Sequence, residues 1–346
     1  MKKFTAKELL SKTMPFVWAK LMLRLITFAI FLGLFALGIF MIVRGSAGVG
    51  YILWIMSGLA GSLAYNFLVR VGGYAVRVGH VAVLTETIKT GQLPENQVVY
   101  GKNKVVERIG TAAAFFVINR LVDRAVLQLQ RRLQSAASFL GAIPGAGALV
   151  KFANTVLKAA LKYVDDCCVA WIFYNPAGQS AMKGALDGVT IYAQNWKKIL
   201  GSAVKTAAIV TVMTYIGGFI IGIVLAIIFG AIGGLWGVFG FIFGLAVSLI
   251  IKQAFIDSWI MIRTLLTYFE DAPTTQIRVD MYGTLSGMAP AFKDMLNRVK
   301  GEVPGDPFSA PAASAVGTAS SNVFCGECGA KNPSGTRFCG ECGQAV

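Results

Sequence analysis

Histidine occurs once in 346 residues, at His80, and charged side chains make up only 14% of the chain. The first scarcity removes most histidine-dependent chemistry. The second sets the chain apart from an ordinary soluble domain, in which about a quarter of residues are charged. Neither a glycine-rich phosphate loop nor a nucleophile elbow occurs, so an enzyme is not expected. The most telling absence lies between Lys205 and Lys252, where 46 residues carry no charged side chain. A spanning helix needs about 20 apolar residues, so this block suffices for two crossings. It divides at Gly230-Ala231-Ile232-Gly233-Gly234.

What is present agrees. Hydrophobic residues form 55% of the chain, and the mean hydropathy is +0.64. Residues 25–43 and 45–69 are also uncharged and are separated only by Arg44. The pattern predicts an all-α integral membrane protein with two transmembrane helical hairpins. The first covers residues 25–70; the second, with a cytosolic helical extension, covers residues 201–300. A net charge of +15 raises the question of nucleic acid. The basic residues gather beside the spans instead: Lys2, Lys3, Lys7, Lys12, Lys20 and Arg24 before the first, and Arg70, Arg77, Lys197, Lys198, Lys205, Lys252 and Arg263 at other ends. The positive-inside bias then places both termini in the cytoplasm of a multi-pass plasma (inner) membrane protein, and nucleic acid is not an expected partner. The first apolar core, 19 residues after a leader of 24, exceeds the usual signal-peptide core and reads as an anchor.

Residues 1–24 have the pattern of an amphipathic basic helix on the membrane, with a solvated leader as the alternative. Between the hairpins, residues 71–200 read as amphipathic or re-entrant. Ile109, Phe116, Leu121, Val122, Ala125, Val126, Leu129 and Leu133 recur at helical spacing opposite Arg120, Asp123, Arg124, Arg131 and Gln134. A second stripe runs from Leu149 to Val164 opposite Lys151, Lys158 and Lys162. Basic helices of this kind suit a bilayer surface rich in anionic lipid. A re-entrant or spanning pair around Gly141–Gly147 and a small soluble bundle are the alternatives. The uncharged run 167–182 contains Asn175-Pro176-Ala177-Gly178, which should break a helix.

Smaller signals follow. The adjacent Cys167 and Cys168 read as buried small side chains, and His80 as structural. Glycines recur four apart, as in Gly218 and Gly222, Gly230 and Gly234, Gly233 and Gly237, and Gly240 and Gly244. That spacing lets helices approach closely in lipid, either within the hairpin or along a homo-oligomer seam. Asp257 is an ionisable group in an apolar helix, which is costly and often functional. Five residues past Lys252 it reads first as interfacial. Deeper in the bilayer, Asp257 with Trp259 or Tyr268 would be the candidate site for a cation or solute.

Residues 301–323, rich in Gly, Pro, Ala and Ser, read as a flexible linker. The module after it, residues 324–346, carries Cys325-x2-Cys328, ten residues, and Cys339-x2-Cys342, with glycine after each second cysteine. Two such knuckles place four thiolates at the corners of a tetrahedron, the closed geometry of structural Zn2+. A redox pair or two disulfides is the competing reading, against which stands the reducing cytoplasm inferred from charge. The segment resembles the short zinc-ribbon domains appended to prokaryotic membrane proteins. The resemblance implies Cys325, Cys328, Cys339 and Cys342 as metal ligands, no catalysis, and either a cytosolic protein partner or a passive cap.

A second set of pieces lies within residues 115–271: Val117-Ile118-Asn119-Arg120-Leu121-Val122 leading to Arg131-Arg132-Leu133, Asn175-Pro176-Ala177 before a helix ending Asn195-Trp196, and Thr264-Leu265-Leu266-Thr267-Tyr268-Phe269-Glu270-Asp271. These resemble the choline-transporter-like family, which implies transport of a cationic or zwitterionic solute and carries over no binding residue. Two functions are therefore expected. Small-solute transport or permeation is preferred, because four spans exceed what an anchor needs. A membrane-anchored scaffold or sensor, recruiting a cytosolic partner through the ribbon, is the alternative.

Overall fold

The structure, a computed structural model, describes residues 4–109, 112–138, 161, 163–175, 179–231, 233–300, 322–324 and 331–333. The chain forms two compact units, Met1–Ser309 and Ala310–Val346.

The first unit is helical. Its elements are α1 (Ala6–Lys12), α2 (Met14–Val43), α3 (Ala47–Ala64), α4 (Gly73–Thr90), α5 (Gln97–Ile109), α6 (Ala112–Ser138), α7 (Val164–Tyr174), α8 (Ala181–Gln194), α9 (Trp196–Gly230), α10 (Gly234–Ile251), α11 (Asp257–Asp271), α12 (Val279–Met288) and α13 (Pro290–Val299). A π-helical segment, Tyr65–Gly72, joins α3 to α4 without a break, and a shorter one, Lys252–Ile256, joins α10 to α11.

Among the described residues, four helical stretches are long and apolar enough to cross a membrane: Met14–Val43, Ala47–Thr90, Val212–Gly230 and Trp236–Thr274. They pack in sequence-adjacent pairs, α2 on α3 and α9 on α10. The first turn contains Gly45 at φ 84°, in the left-handed region where a Cβ is unfavourable. Large apolar side chains stand free on these helices; Ile55, Phe67, Tyr215 and Ile227 are each more than two-thirds exposed. Water does not tolerate so much contiguous apolar surface, whereas lipid does. The second pair is held by close backbone approach. A Cβ added to Gly244 would lie 2.7 Å from the Gly222 Cα, and one on Gly240 would lie 2.4 Å from the Leu225 carbonyl oxygen. Those glycines thus serve packing within the pair.

Below these pairs the same helices run into a dense helical domain. Its core combines Leu9 of α1, Val78, Val81 and Leu84 of α4, Leu121 and Ala125 of α6, Ile172 of α7, Leu186 and Ile191 of α8, Met261 and Leu265 of α11, and Phe292 of α13. Within the described part of residues 71–200, the apolar stripe of α6 differs from a lipid-facing one. On α6, Leu121, Val122, Ala125 and Leu129 are buried, while Arg120, Asp123, Arg124 and Arg131 are exposed. The apolar face meets α7, α8 and α13 instead of lipid. An apolar stripe carries no label saying which apolar partner covers it. The run from Cys167 to Phe173, uncharged like a span, is the buried α7, and it ends at Tyr174 before Asn175-Pro176. The stripe from Leu149 lies outside the described residues up to Leu161, as does the Gly141–Gly147 turn.

The leader differs too. A single amphipathic helix over 1–24 is replaced by the short α1 and the first turns of α2, separated at Thr13 with Pro15 in the first turn of α2. Thr5 caps α1 by accepting from the Glu8 backbone N–H. Leu9, Phe16, Val17 and Leu21 are buried in the protein.

In the second unit, Asn322–Phe324 pairs antiparallel with Lys331–Pro333, with Phe324 opposite Lys331. The two strands bracket Cys325 and Cys328 in sequence. All four cysteines of the expected metal site, Cys325, Cys328, Cys339 and Cys342, lie outside the described residues, as does the expected linker apart from Asn322 and Val323.

Candidate functional site

Where the apolar pairs enter the helical domain, ionisable side chains from α2, α4, α7 and α11 form a buried polar layer. Lys20 of α2 is 6% exposed. Its Nζ donates to His80 Nδ1 (3.2 Å) on α4 and to Ser258 Oγ (3.1 Å) on α11. The far side of the imidazole fixes the tautomer. Thr13 Oγ1 donates to the Leu9 carbonyl at 2.8 Å, so it accepts from His80 Nε2 at 2.7 Å. Nε2 therefore carries the hydrogen, and Nδ1 offers its lone pair to Lys20. Phe16 stacks on the ring with centroids 5.0 Å apart. The single histidine is thus fully partnered, joining α4 to α2 and to Thr13 at the α1–α2 junction.

One turn up α2, Arg24 donates through Nε to Gln253 Oε1 (3.0 Å) and through Nη1 to the Lys20 carbonyl (3.0 Å). One turn before His80, Arg77 pairs with Asp166 in a short hydrogen bond and reaches Asp165 at 3.4 Å. Asp166 is 3% exposed. Burial drives its carboxyl up to about 7, with Asp165 adding to the shift and Arg77 opposing it. The two aspartates occupy the first turn of α7, where the helix dipole favours negative charge. Its other end carries cations: Arg108 donates to the Ile172 carbonyl at 2.9 Å, and Lys89 to the Tyr174 carbonyl at 2.9 Å.

Asp257, Trp259 and Tyr268 all lie on α11 but do not assemble. Asp257 pairs with Lys252 at 3.0 Å. Trp259 has Arg263 over its ring at 5.7 Å, so the nearest cation is the protein's own. Tyr268 is about 16 Å along the helix from Asp257 at 1.5 Å per residue. It is 1% exposed, lies 6.3 Å from Trp171 and 6.4 Å from Tyr192, and belongs to the core.

Cys167 and Cys168 are free and fully buried. Burial pushes both thiols well up, so neither is a ready thiolate. The two helices approach closely beside them: a Cβ on Gly188 of α8 would sit 2.8 Å from the Cys168 Cα, so position 188 requires glycine. A second buried carboxylate, Asp187, accepts from Gln179 Nε2 at 2.8 Å and forms short bonds with Lys183 and Tyr282, tying α8 to α12. Among the described residues no group of three or more His, Cys, Asp or Glu is placed to hold a metal.

Sequence reading missed the layer because its members were each explained singly: Lys20, Arg24 and Arg77 by charge bias, His80 as structural. The available signal was Asp165-Asp166 immediately before an uncharged run, since buried acids need buried bases. Four helices long and apolar enough to span, found among the described residues, are compatible with a helical membrane protein. Comparison of the chain with family models, with curated proteins and with solved structures returns no match.

Proposed function

We propose that the chain is a non-enzymatic membrane-anchored scaffold of the plasma (inner) membrane. Two hairpins fix the helical domain at the bilayer, both termini are cytoplasmic, and a Zn2+-holding ribbon recruits a cytosolic protein. One observation carries the choice over transport. The helices that would have to line a polar route, α7 and α8, close on each other and on α4 and α11 in a core where Cys167, Ala170, Ala185, Leu186 and Ile191 have no exposure. The absence of a convergent site around Asp257, Trp259 and Tyr268 supports the same reading. The basic residues flanking the helical domain support the orientation, and Cys-x2-Cys spacing supports the metal.

Small-solute permeation is the second reading, favoured by the buried Lys20 and Asp166 and the half-buried Arg77 beside spanning helices. Two experiments separate them. Deleting residues 301–346 should abolish capture of a cytosolic partner while leaving the protein in the membrane. Single cysteines placed along α7 and α8, in a background without the native six, should resist membrane-impermeant thiol reagents from both sides. Labelling of one helical face from both sides would favour permeation.

A further inference from the structure

Between α2 and α3, with α10 at one edge, lies a groove of about 360 Å³. One wall is Arg24, Thr27, Phe28 and Phe31 of α2, spaced three and four apart on one helical face. The other is Gly58, Gly61 and Ser62 of α3, continued by Tyr65 and Val69. From Arg24 to Phe31 the groove runs about 10 Å along the helix. It is graded: Arg24 and Tyr65 lie toward the helical domain, and Phe28, Phe31 and the two glycines lie deeper. Gly58 meets nothing within 4 Å of an added Cβ, so a side chain there would stand in open space.

We propose that this groove binds one anionic phospholipid, with its phosphate on Arg24 and an acyl chain along Phe28, Phe31, Gly58 and Gly61. The argument is charge and depth. A guanidinium has five N–H donors, of which Gln253 and the Lys20 carbonyl take two. No carboxylate lines the groove. Asp257, the acid whose charge acts on Arg24, is itself paired with Lys252 at 3.0 Å. The remaining donors form a planar fork matched to a phosphate. They sit at the level where the apolar helices meet the polar layer, which is headgroup depth. The surrounding surface, with Ile26 and Phe67 exposed, is the lipid-facing side. This inference rests on the hairpins spanning a bilayer, and on no other part of the proposed function.

The test uses the full chain in detergent, titrated with phosphatidylglycerol, phosphatidylcholine or inorganic phosphate, and read by native mass spectrometry and thermal unfolding. Phosphatidylglycerol should persist as a single adduct and raise the Tm by several degrees. Phosphatidylcholine should bind about tenfold more weakly, and phosphate alone should do neither. Arg24→Gln should lose the adduct. Gly58→Leu should lose it as well while keeping its lipid-free Tm, which decides the matter if Arg24→Gln fails to fold. Arg44→Gln, at the opposite end of α2, should bind normally. Equal binding of the two lipids, a Tm rise with phosphate alone, or an adduct retained in Gly58→Leu would overturn the assignment. Alkaline carbonate extraction of the same preparation reports separately whether the hairpins insert.

Discussion

At the scale of single residues, the decisive side chains are those that bring charge into an apolar fold. Lys20 is held by His80 and Ser258, and removing it leaves the imidazole Nδ1 without its donor in a buried site. Lys20→Ala is expected to lower stability by about 2 kcal/mol, measured by denaturation in mixed micelles followed by tryptophan fluorescence. Asp166 makes the protein sensitive to pH in a defined direction. Its carboxyl is raised in the folded state, so the native protein keeps a proton that the unfolded chain has released. The stability it contributes is fully present below the ordinary carboxylate range, near pH 4, and is lost as pH rises through about 7. Asp166→Asn should flatten the Tm profile over that window; an unchanged slope would contradict the burial argument. Of these residues only the cost of an ionisable group in an apolar helix was legible in sequence, and it pointed to Asp257. Lys20 and Arg77 escaped notice because a cation near the end of a span has an innocuous explanation, whereas partners 60 or 89 residues away are visible only once the chain is folded.

At the scale of elements, apolar composition and length announced the four long helices, because nothing but a membrane tolerates such runs. The fate of residues 71–200 was not announced. On α6 the stripe of Leu121, Val122, Ala125 and Leu129 was visible, yet a stripe bound for lipid and one bound for a neighbouring helix have the same chemistry. Only the domain assembled around α7 separates them. The glycines of α9 and α10 make a sharper prediction. With 2.7 Å between an added Gly244 Cβ and the Gly222 Cα, Gly244→Leu must part the two helices and should cost about 1–3 kcal/mol. Gly217→Ala, where an added Cβ meets nothing, should be neutral in the same micelle assay.

At the scale of the whole molecule, the apolar helices and the two units make separable predictions. Alkaline carbonate should leave the chain in the membrane pellet, since the exposed surface of the four long helices has no place in water. Replacing Cys325, Cys328, Cys339 and Cys342 by Ser should abolish Zn2+ retained by the purified protein, read by elemental analysis, and leave the Tm of the first unit unchanged. The stretches 47–90 and 236–274 each change winding where they leave the apolar region, through Tyr65–Gly72 and Lys252–Ile256. Every residue turns a helix by about 100°, so these looser coils act as phase adjusters between an outer face that seeks lipid and an inner face that seeks the core. Excising Phe67 alone would swing Val78, Val81 and Leu84 away from their seats, which makes a one-residue deletion there more harmful than any substitution at the same position.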